Sequence, residues 1–328
     1  MAAVLGIDLG GTRLRAAWAP ADGPLEPRPL GEEAAPASAA ALAARVAAHA
    51  AAAGAQAGGE EVAALAVTIP GLVDGTVCRW VPNLPYLDGL DLAALLAGAA
   101  PQVVAGNDAQ LALLAEAADG AAAGARDAML VAVGTGIGSA VLSQGRIARG
   151  AHGGACSFGW ACADLADRGD ERSGWLERQA SGRALDALGE TLDPPRDGAG
   201  LIAAARAGDG LALAALAPAV EALGATLAGA VALLDPEVVL LAGGVAAAAD
   251  VLQPLLRAAL APRLPRHLRD VPVRAGAFGP RAGIAGALIA ARRGPSWWEL
   301  AEPLGPRPRV SSQAPAQGSF VDEEGKVS

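Results

Sequence analysis

The chain has 328 residues, 53% of them hydrophobic and 18% charged, with a net charge of −9. That length suits about two domains, the apolar weight excludes a disordered chain, and the acidic balance argues against a general nucleic-acid binder. Of the 25 basic residues only Lys326 is a lysine. A G-x-x-x-x-G-K-[ST] phosphate loop is therefore excluded, and a Schiff-base lysine would have to come from the C-terminal end.

In chain order, residues 4–8 form a short apolar run that ends in Asp8-Leu9-Gly10-Gly11-Thr12, and residues 13–18 read as a second strand. Together they predict a hairpin around a glycine turn. Residues 20–36, rich in Pro, Glu and Gly, read as loop or edge, and Ser38 offers an N-cap for an alanine-rich helix to about residue 53. Residues 62–69 predict a buried strand broken by Pro70-Gly71, residues 90–96 a helix, and Val103-Val104 a short strand ending at Gly106-Asn107-Asp108. A helix over 109–118 follows directly. A second cycle opens with a strand over 129–133, the turn Gly134-Thr135-Gly136-Ile137-Gly138 and a strand over 139–142. Residues 150–197 read as irregular and glycine-rich, and helices fill 201–234. The longest apolar stretch, 211–234, contains Pro218 and Glu221 and is dominated by Ala and Gly, so it predicts a buried helix and not a membrane span. Residues 238–241 form a strand capped by Ala242-Gly243-Gly244. A helix over 249–260, a strand over 271–274 and a last helix over 282–292 complete the pattern. From Gly294 onward Pro, Ser, Gly and charge dominate, and 294–328 is expected to be a disordered tail.

Cys78, Cys156 and Cys162 sit in unrelated contexts without a C-x-x-C pair, which suggests a reducing compartment and no disulfide framework. No basic region precedes the first apolar run, so it does not read as a secretory signal. A cytoplasmic protein is expected.

The strand–glycine turn–strand unit thus occurs twice. Two similar lobes, each offering a glycine hairpin to the cleft between them, would clamp one phosphate chain with backbone N–H groups and need no lysine. In the first turn Gly10 and Gly11 let the backbone approach phosphate, Thr12 donates a hydroxyl, and Asp8 stands where a magnesium-bound water could be held. An ordinary hairpin turn explains the same residues. The second turn has G-x-G-x-G spacing before a strand, and so fails the dinucleotide fingerprint, which needs G-x-G-x-x-G opening a helix. Asp108 at a strand–helix junction reads first as a helix N-cap, with a general base for a hydroxyl as the functional alternative and Asn107 fixing the acceptor. Gly243-Gly244 could receive an adenosine on bare backbone or be a plain strand–helix turn. His49 and His267 read as surface residues. His152, between glycines, stands out more.

Taken together, Asp-Leu-Gly-Gly-Thr at 8–12, Ile-Pro-Gly-Leu-Val-Asp at 69–74, Pro-Asn-Leu-Pro-Tyr-Leu-Asp-Gly at 82–89, Asn107-Asp108-Ala109, Gly-Thr-Gly-Ile-Gly at 134–138 and Ala-Gly-Gly at 242–244 resemble the ROK family of sugar kinases and repressors. The resemblance spans residues 3–293. It implies an α/β, two-lobed actin-like ATPase (ribonuclease H-like) fold with a cleft between the lobes. The N-terminal lobe would span 1–108 with the final helix, about 281–293, packing back on it. The C-terminal lobe, 109–280, would carry the sugar and adenosine motifs. It also implies a homodimer and phosphoryl transfer from MgATP to a hexose, commonly at the primary hydroxyl. By position Asp108 resembles the catalytic base, and Asn83, Asn107, His152 and Glu177 resemble sugar contacts. Gly10, Gly11 and Thr12, with Asp8 as the metal-side acid, resemble the first phosphate loop, Thr135 and Gly136 the second, and Gly243 and Gly244 the adenosine site.

The pattern breaks in one stretch. Where the family carries His-Gly-x-Ala-Gly-Glu-x-Gly-His, this chain has His152-Gly153-Gly154-Ala155-Cys156-Ser157-Phe158-Gly159-Trp160. Ser157 replaces the sugar-binding Glu, and Trp160 the His shared by sugar and zinc. The family's zinc motif is replaced by residues 168–177, which hold no cysteine. Loss of every soft ligand at once argues against a structural zinc, and Trp160 and Trp175 are expected to fill that space by apolar packing. Losing groups that read ring hydroxyls relaxes or redirects substrate choice. The expectation is a substrate with a glucose-like hydroxymethyl group and altered ring chemistry, such as an amino sugar or a C7-cyclitol. An ordinary glucokinase and a catalytically inactive sugar or nucleotide sensor are the alternatives. A repressor is disfavoured by the acidic charge and by a chain that opens directly on the first phosphate strand.

Overall fold

A computed structural model describes residues 2–300. The first half builds β1 (Ala3–Leu9), β2 (Arg13–Pro20), β3 (Arg28–Ala34), α1 (Ala39–Gln56), β4 (Val62–Ile69), the small hairpin β5 (Leu72–Asp74) and β6 (Val77–Trp80), α2 (Leu92–Leu95) and β7 (Gln102–Asn107). The second half builds α3 (Asp108–Asp119), β8 (Ala128–Val133), β9 (Ile137–Ser143), β10 (Arg146–Ile147), α4 (Trp175–Ala180), α5 (Gly182–Glu190), α6 (Gly198–Arg206), α7 (Gly210–Leu234), β11 (Val238–Ala242), α8 (Ala249–Leu260), β12 (Val273–Ala275) and α9 (Ala282–Arg293).

The two main sheets repeat one plan. The first has strand order β3-β2-β1-β4-β7 and the second β10-β9-β8-β11-β12. In each, an antiparallel hairpin supplies the leading strands, β1 with β2 and β8 with β9, and parallel strands extend the far side. β1, β4 and β8 are almost wholly apolar because helices or the other sheet cover both faces. This duplicated five-stranded plan is the two-lobed actin-like fold.

Three apolar clusters hold it. One fills the N-terminal lobe between its sheet and α1, one fills the C-terminal lobe around α7 and α8, and the third joins α3 and α9 to the facing sides of both sheets. α3 and α9 touch so closely that a Cβ at Gly286 would collide with the Leu111 carbonyl. α7 is the one helix among the described residues long and apolar enough to cross a membrane. Its stripe Leu216, Ala219, Val220, Leu223, Leu227 and Val231 faces the C-terminal core at helical spacing. Asp209 caps its start, accepting from Leu211 N and Ala212 N, and Asp235 ends it in the left-handed region with φ of 47°.

The structure corrects several sequence expectations. The 20–36 stretch contains β3, an edge strand with mostly exposed side chains, so no buried alternation announces it. The hairpin β5–β6 was hidden by its short length. Two helices, α4 and α5, stand in the segment read as irregular; both are short and glycine-flanked. The largest correction concerns the tail. Gly294–Ser296 forms a 3₁₀ turn, Trp297 is 2% exposed in the inter-sheet core, and Ile147 N donates to the Trp298 carbonyl at 2.8 Å. Leu300 N donates to the Gly145 carbonyl at 2.9 Å. A disordered segment starting at 294 is therefore wrong for 294–300: two indoles anchor residues whose average composition looks unstructured. The remainder of that expectation, 301–328, lies outside the described residues.

Candidate active site

β7 runs into α3 with a single residue between strand and helix roles. Asn107 is the N-cap: its Oδ1 accepts from Ala109 N at 3.0 Å and Gln110 N at 3.4 Å, and its Nδ2 donates to the Gly71 carbonyl at 3.1 Å. The capping expected of Asp108 thus falls to its neighbour. Asp108 is the first helical residue, with Oδ1 accepting from Ala109 N at 2.8 Å. Its carboxylate reaches the solvent of the cleft but is crowded by protein around it. That desolvation pushes its pKa from 3.8 up to about 6; the Ala109 N–H opposes the rise and the charge of Asp8 adds to it.

Asp108 lines a cavity of about 880 Å³ between the lobes, together with Asn83, Asn107, Thr135, Gly136, Ser157, Trp160, Glu177 and Gly243. Nine of the sequence-predicted residues therefore share one wall system. Asp8, Gly10, Gly11, Thr12 and Gly244 do not line it, and neither does His152, which is exposed to solvent. The first glycine turn stands beside the cavity. Gly10 N donates to the Arg13 carbonyl at 2.8 Å, and a Cβ on Gly11 would come within 2.8 Å of the Asn83 Cβ. Only glycine lets that turn lie against Asn83. Asp8 Oδ1 accepts from Thr68 Oγ1 at 2.7 Å, and Thr68 Oγ1 accepts from Leu9 N at 3.1 Å. Arg15 Nη1 lies 3.5 Å from Asp8 Oδ2.

The second turn closes through Gly134 N donating to the Gly136 carbonyl at 2.9 Å, and Gly182 N, opening α5, donates to the Gly134 carbonyl at 2.7 Å. Glu177 Oε2 accepts from Ile137 N at 3.3 Å, tying α4 to the same turn. Past Thr135 the cleft continues into a second cavity of about 430 Å³ lined by Gly134, Thr135, Arg183, Gly244, Ala247 and Ala248, among others. Gly243, on the wall of the main cavity just before Gly244, has φ of 77° and ψ of −160°, and a Cβ there would sit 2.5 Å from the Val133 carbonyl. Glycine is required on both counts.

Two participants escaped the sequence reading. Gln110 is buried yet lines the main cavity, and its Nε2 donates to the Gly153 carbonyl at 3.4 Å. Thr68, fully buried, steers Asp8. The only signal for either was a polar residue within an apolar run. Ser157 Oγ donates to the Gly154 carbonyl at 3.1 Å. Trp160 is 44% exposed and forms cavity wall, which corrects the expectation that it fills space by packing; Trp175 does pack against the C-terminal core. The loop between them is fastened by ion pairing and turns. Arg178 Nη2 bonds Asp167 Oδ2 at 2.5 Å and holds that carboxyl below the usual range, and Asp170 Oδ1 accepts from Arg172 N and Ser173 N.

Among the described residues no three His, Cys, Asp or Glu side chains converge as a metal cluster. Magnesium asks for less: one or two carboxylates plus substrate phosphates and water. Asp8, a hard oxygen donor close enough to Asp108 for its charge to raise the pKa there, fits that requirement.

Comparisons with known proteins bear on the family and the fold. The sequence model of the ROK family matches residues 4–293. The bifunctional enzyme NanE/NanK of Brucella melitensis is 34% identical over 232 residues, 68% of this chain and 42% of its own length. The chain thus spans less than half of that bifunctional relative. A kanosamine kinase of Amycolatopsis mediterranei is 30% identical over 244 residues, 71% of this chain and 78% of its own. The crystal structure of a ROK family glucokinase from Streptomyces griseus in complex with glucose and AMPPNP is similar with a TM-score of 0.70 at 27% identity, covering 89% of this chain and 100% of that one.

Proposed function

This chain belongs to the ROK family, and from that premise we propose that it is an ATP-dependent kinase of a hexose-like acceptor, transferring the γ-phosphoryl group to a primary hydroxyl with Asp108 as general base. The acceptor is an amino sugar or a C7-cyclitol. The observation that carries the reading is Asp108 itself: a carboxylate poised near pH 6, on the wall of a cavity that runs past a glycine turn into a second cavity floored by glycine backbone.

In this mechanism the lobes bring together two ends of one cleft. Gly243 and Gly244 offer bare backbone to adenosine, and Thr135 and Gly136 cradle phosphate from one side while Gly10, Gly11 and Thr12 do so from the other. The acceptor lies on Asn83, Asn107 and Glu177, with Ser157 and Trp160 facing the part of the ring remote from the reacting hydroxyl. His152 would join them only by moving inward. Asp108 takes the hydroxyl proton as the oxygen–phosphorus bond forms and the bond to the β-phosphate oxygen breaks, releasing ADP. Asp8, through water, would hold magnesium, which when bound neutralises phosphate charge, while Asp108 stays free to take the proton. We take 1–108 and 109–280 as the lobes that close on the substrates. A cytoplasmic homodimer without nucleic-acid or membrane partners completes the reading.

Support for an altered acceptor comes from Ser157 and Trp160, neither of which can accept from hydroxyls as a carboxylate does, and from the kanosamine kinase among the relatives. The glucokinase among the similar structures keeps glucose as the second reading. ADP release measured over glucose, amino sugars and cyclitols, for the wild type and Asp108→Ala, tests both. Efficient use of glucose alone would replace the altered acceptor by the second reading. Turnover surviving Asp108→Ala would remove the base.

A further inference from the structure

Two tryptophans stand open on the cavity wall, one from each lobe. Trp80 ends β6 and is 47% exposed; Trp160 closes the turn Phe158–Trp160 and is 44% exposed. Both line the same cavity as Asp108. Of the other four indoles, Trp18 and Trp297 are buried at 3% and 2% and Trp175 and Trp298 are half-buried. An aromatic side chain covers about 150–250 Å² when it packs, so leaving two of them open in one cleft forgoes burial that an occupant would restore.

The rim between them is continuous. Trp80 pairs with Leu72 across the small hairpin, and the Leu72 side chain fills the space beside Gly154, where a Cβ would come within 2.6 Å of it. Ser157 Oγ donates to the Gly154 carbonyl, and Trp160 N donates to the Ser157 carbonyl at 3.0 Å. The same hairpin is tied to the catalytic floor by Asn107 Nδ2 on the Gly71 carbonyl. The small Ser157 leaves the wall open between the indoles. The cavity's 880 Å³ lies near the top of the range of about 300–1,000 Å³ usual for small-molecule and cofactor pockets. A wall with two exposed indoles, one from each lobe, suits an acceptor that extends past a single ring.

We propose that the acceptor has two rings: a hexose-like ring whose hydroxymethyl group meets Asp108, joined through a glycosidic or equivalent bond to a second ring that lies on Trp80 and Trp160. This rests on the kinase reading and deepens it. Ring faces lying on indoles gain dispersion and face-selective contact, and the polar edges of the second ring keep solvent at the open rim.

The full-length protein is assayed for ADP release with glucose, glucosamine, their methyl and phenyl glycosides in both anomers, and maltose. At least one phenyl glycoside or maltose should exceed its parent monosaccharide in kcat/KM by about tenfold, the size expected of aromatic contact. That ratio should collapse towards one in Trp80→Ala/Trp160→Ala and survive in Trp80→Phe/Trp160→Phe, which keeps the rings and guards against misfolding. A preference for the free sugar over every two-ring acceptor overturns the proposal, as does a ratio unmoved by the double alanine variant. Titration of tryptophan emission with phenyl glucoside separates the two readings. Without turnover on any acceptor, quenching present in the wild type and absent from the double alanine variant upholds the aromatic subsite while the kinase reading falls. No turnover and no quenching removes both.

Discussion

The wall around Thr135 and Gly243 and the wall around Ser157 and Trp160 are made of different material. The first is backbone, held by turn hydrogen bonds and by glycine positions where a side chain would strike a carbonyl. The second is side chain, carried on a loop fastened by Arg178 and by Asx turns. A backbone site tolerates almost no substitution, because its geometry fails with the first added Cβ. A side-chain site can be rewritten residue by residue while its loop stays in place. This explains how one cleft keeps its glycine turns and Glu177 and yet departs from the family pattern at Ser157, Trp160 and the cysteine positions of the 168–177 segment.

The comparison can be broken most forcefully at the floor that both walls share. Asp108→Asn should lower kcat by about 10²–10⁴-fold on any accepted substrate, read by ADP release. Trp297→Ala, which empties the space behind Gly106 one residue from the N-cap, should cost about 3–5 kcal/mol of stability in denaturant unfolding. On the backbone wall Gly243→Ala should cost about 1–3 kcal/mol and raise KM for ATP more than KM for the acceptor. On the side-chain wall Ser157→Ala should change Tm negligibly and shift only acceptor KM. An ATP effect there equal to that of Gly243→Ala would erase the distinction between the walls.

Acidity sharpens the same contrast. If Asp108 acts as the proposed base it must be ionised, and its pKa is raised to about 6, so kcat should be level above pH 6 and fall tenfold per unit below it. For stability the sign is reversed. The folded state holds this proton more tightly than the unfolded chain, whose value is near 3.8, so ionisation costs stability as pH rises from about 4 through 6. Asp108→Asn should therefore gain in Tm on the wild type above pH 6, with the gain closing below pH 4.

Much of the fold was legible because hydrophobic runs and glycine turns recur with the same order in both halves. α8 spans 249–260 as the pattern predicted, and Ser38 caps α1. Some elements were not legible: β3 lies exposed at an edge, α4 is too short to show a period, and α5, though it has an apolar face, is short and starts on a glycine in a glycine-rich stretch. In the site, Asp108, Asn107 and both glycine turns stood out by position in repeated motifs. Gln110 and Thr68 did not, since a lone polar residue in an apolar run acquires meaning only when a partner arrives from far along the chain, 43 residues away for Gly153 and 60 for Asp8.

The sequence by itself determined the two-lobed plan, the absence of a lysine-bearing phosphate loop in a chain with one lysine, and the loss of the family's cysteine ligands. These follow from local composition and from motifs in a set order. Only the tertiary structure decided which group caps α3, that Trp160 faces the cavity and Trp297 the core, and that Trp80 shares a rim with Trp160. The reason is physical. Burial of an indole depends on what the rest of the chain places against it, and the same side chain in a glycine-rich loop or a proline-rich tail carries no local mark of either outcome.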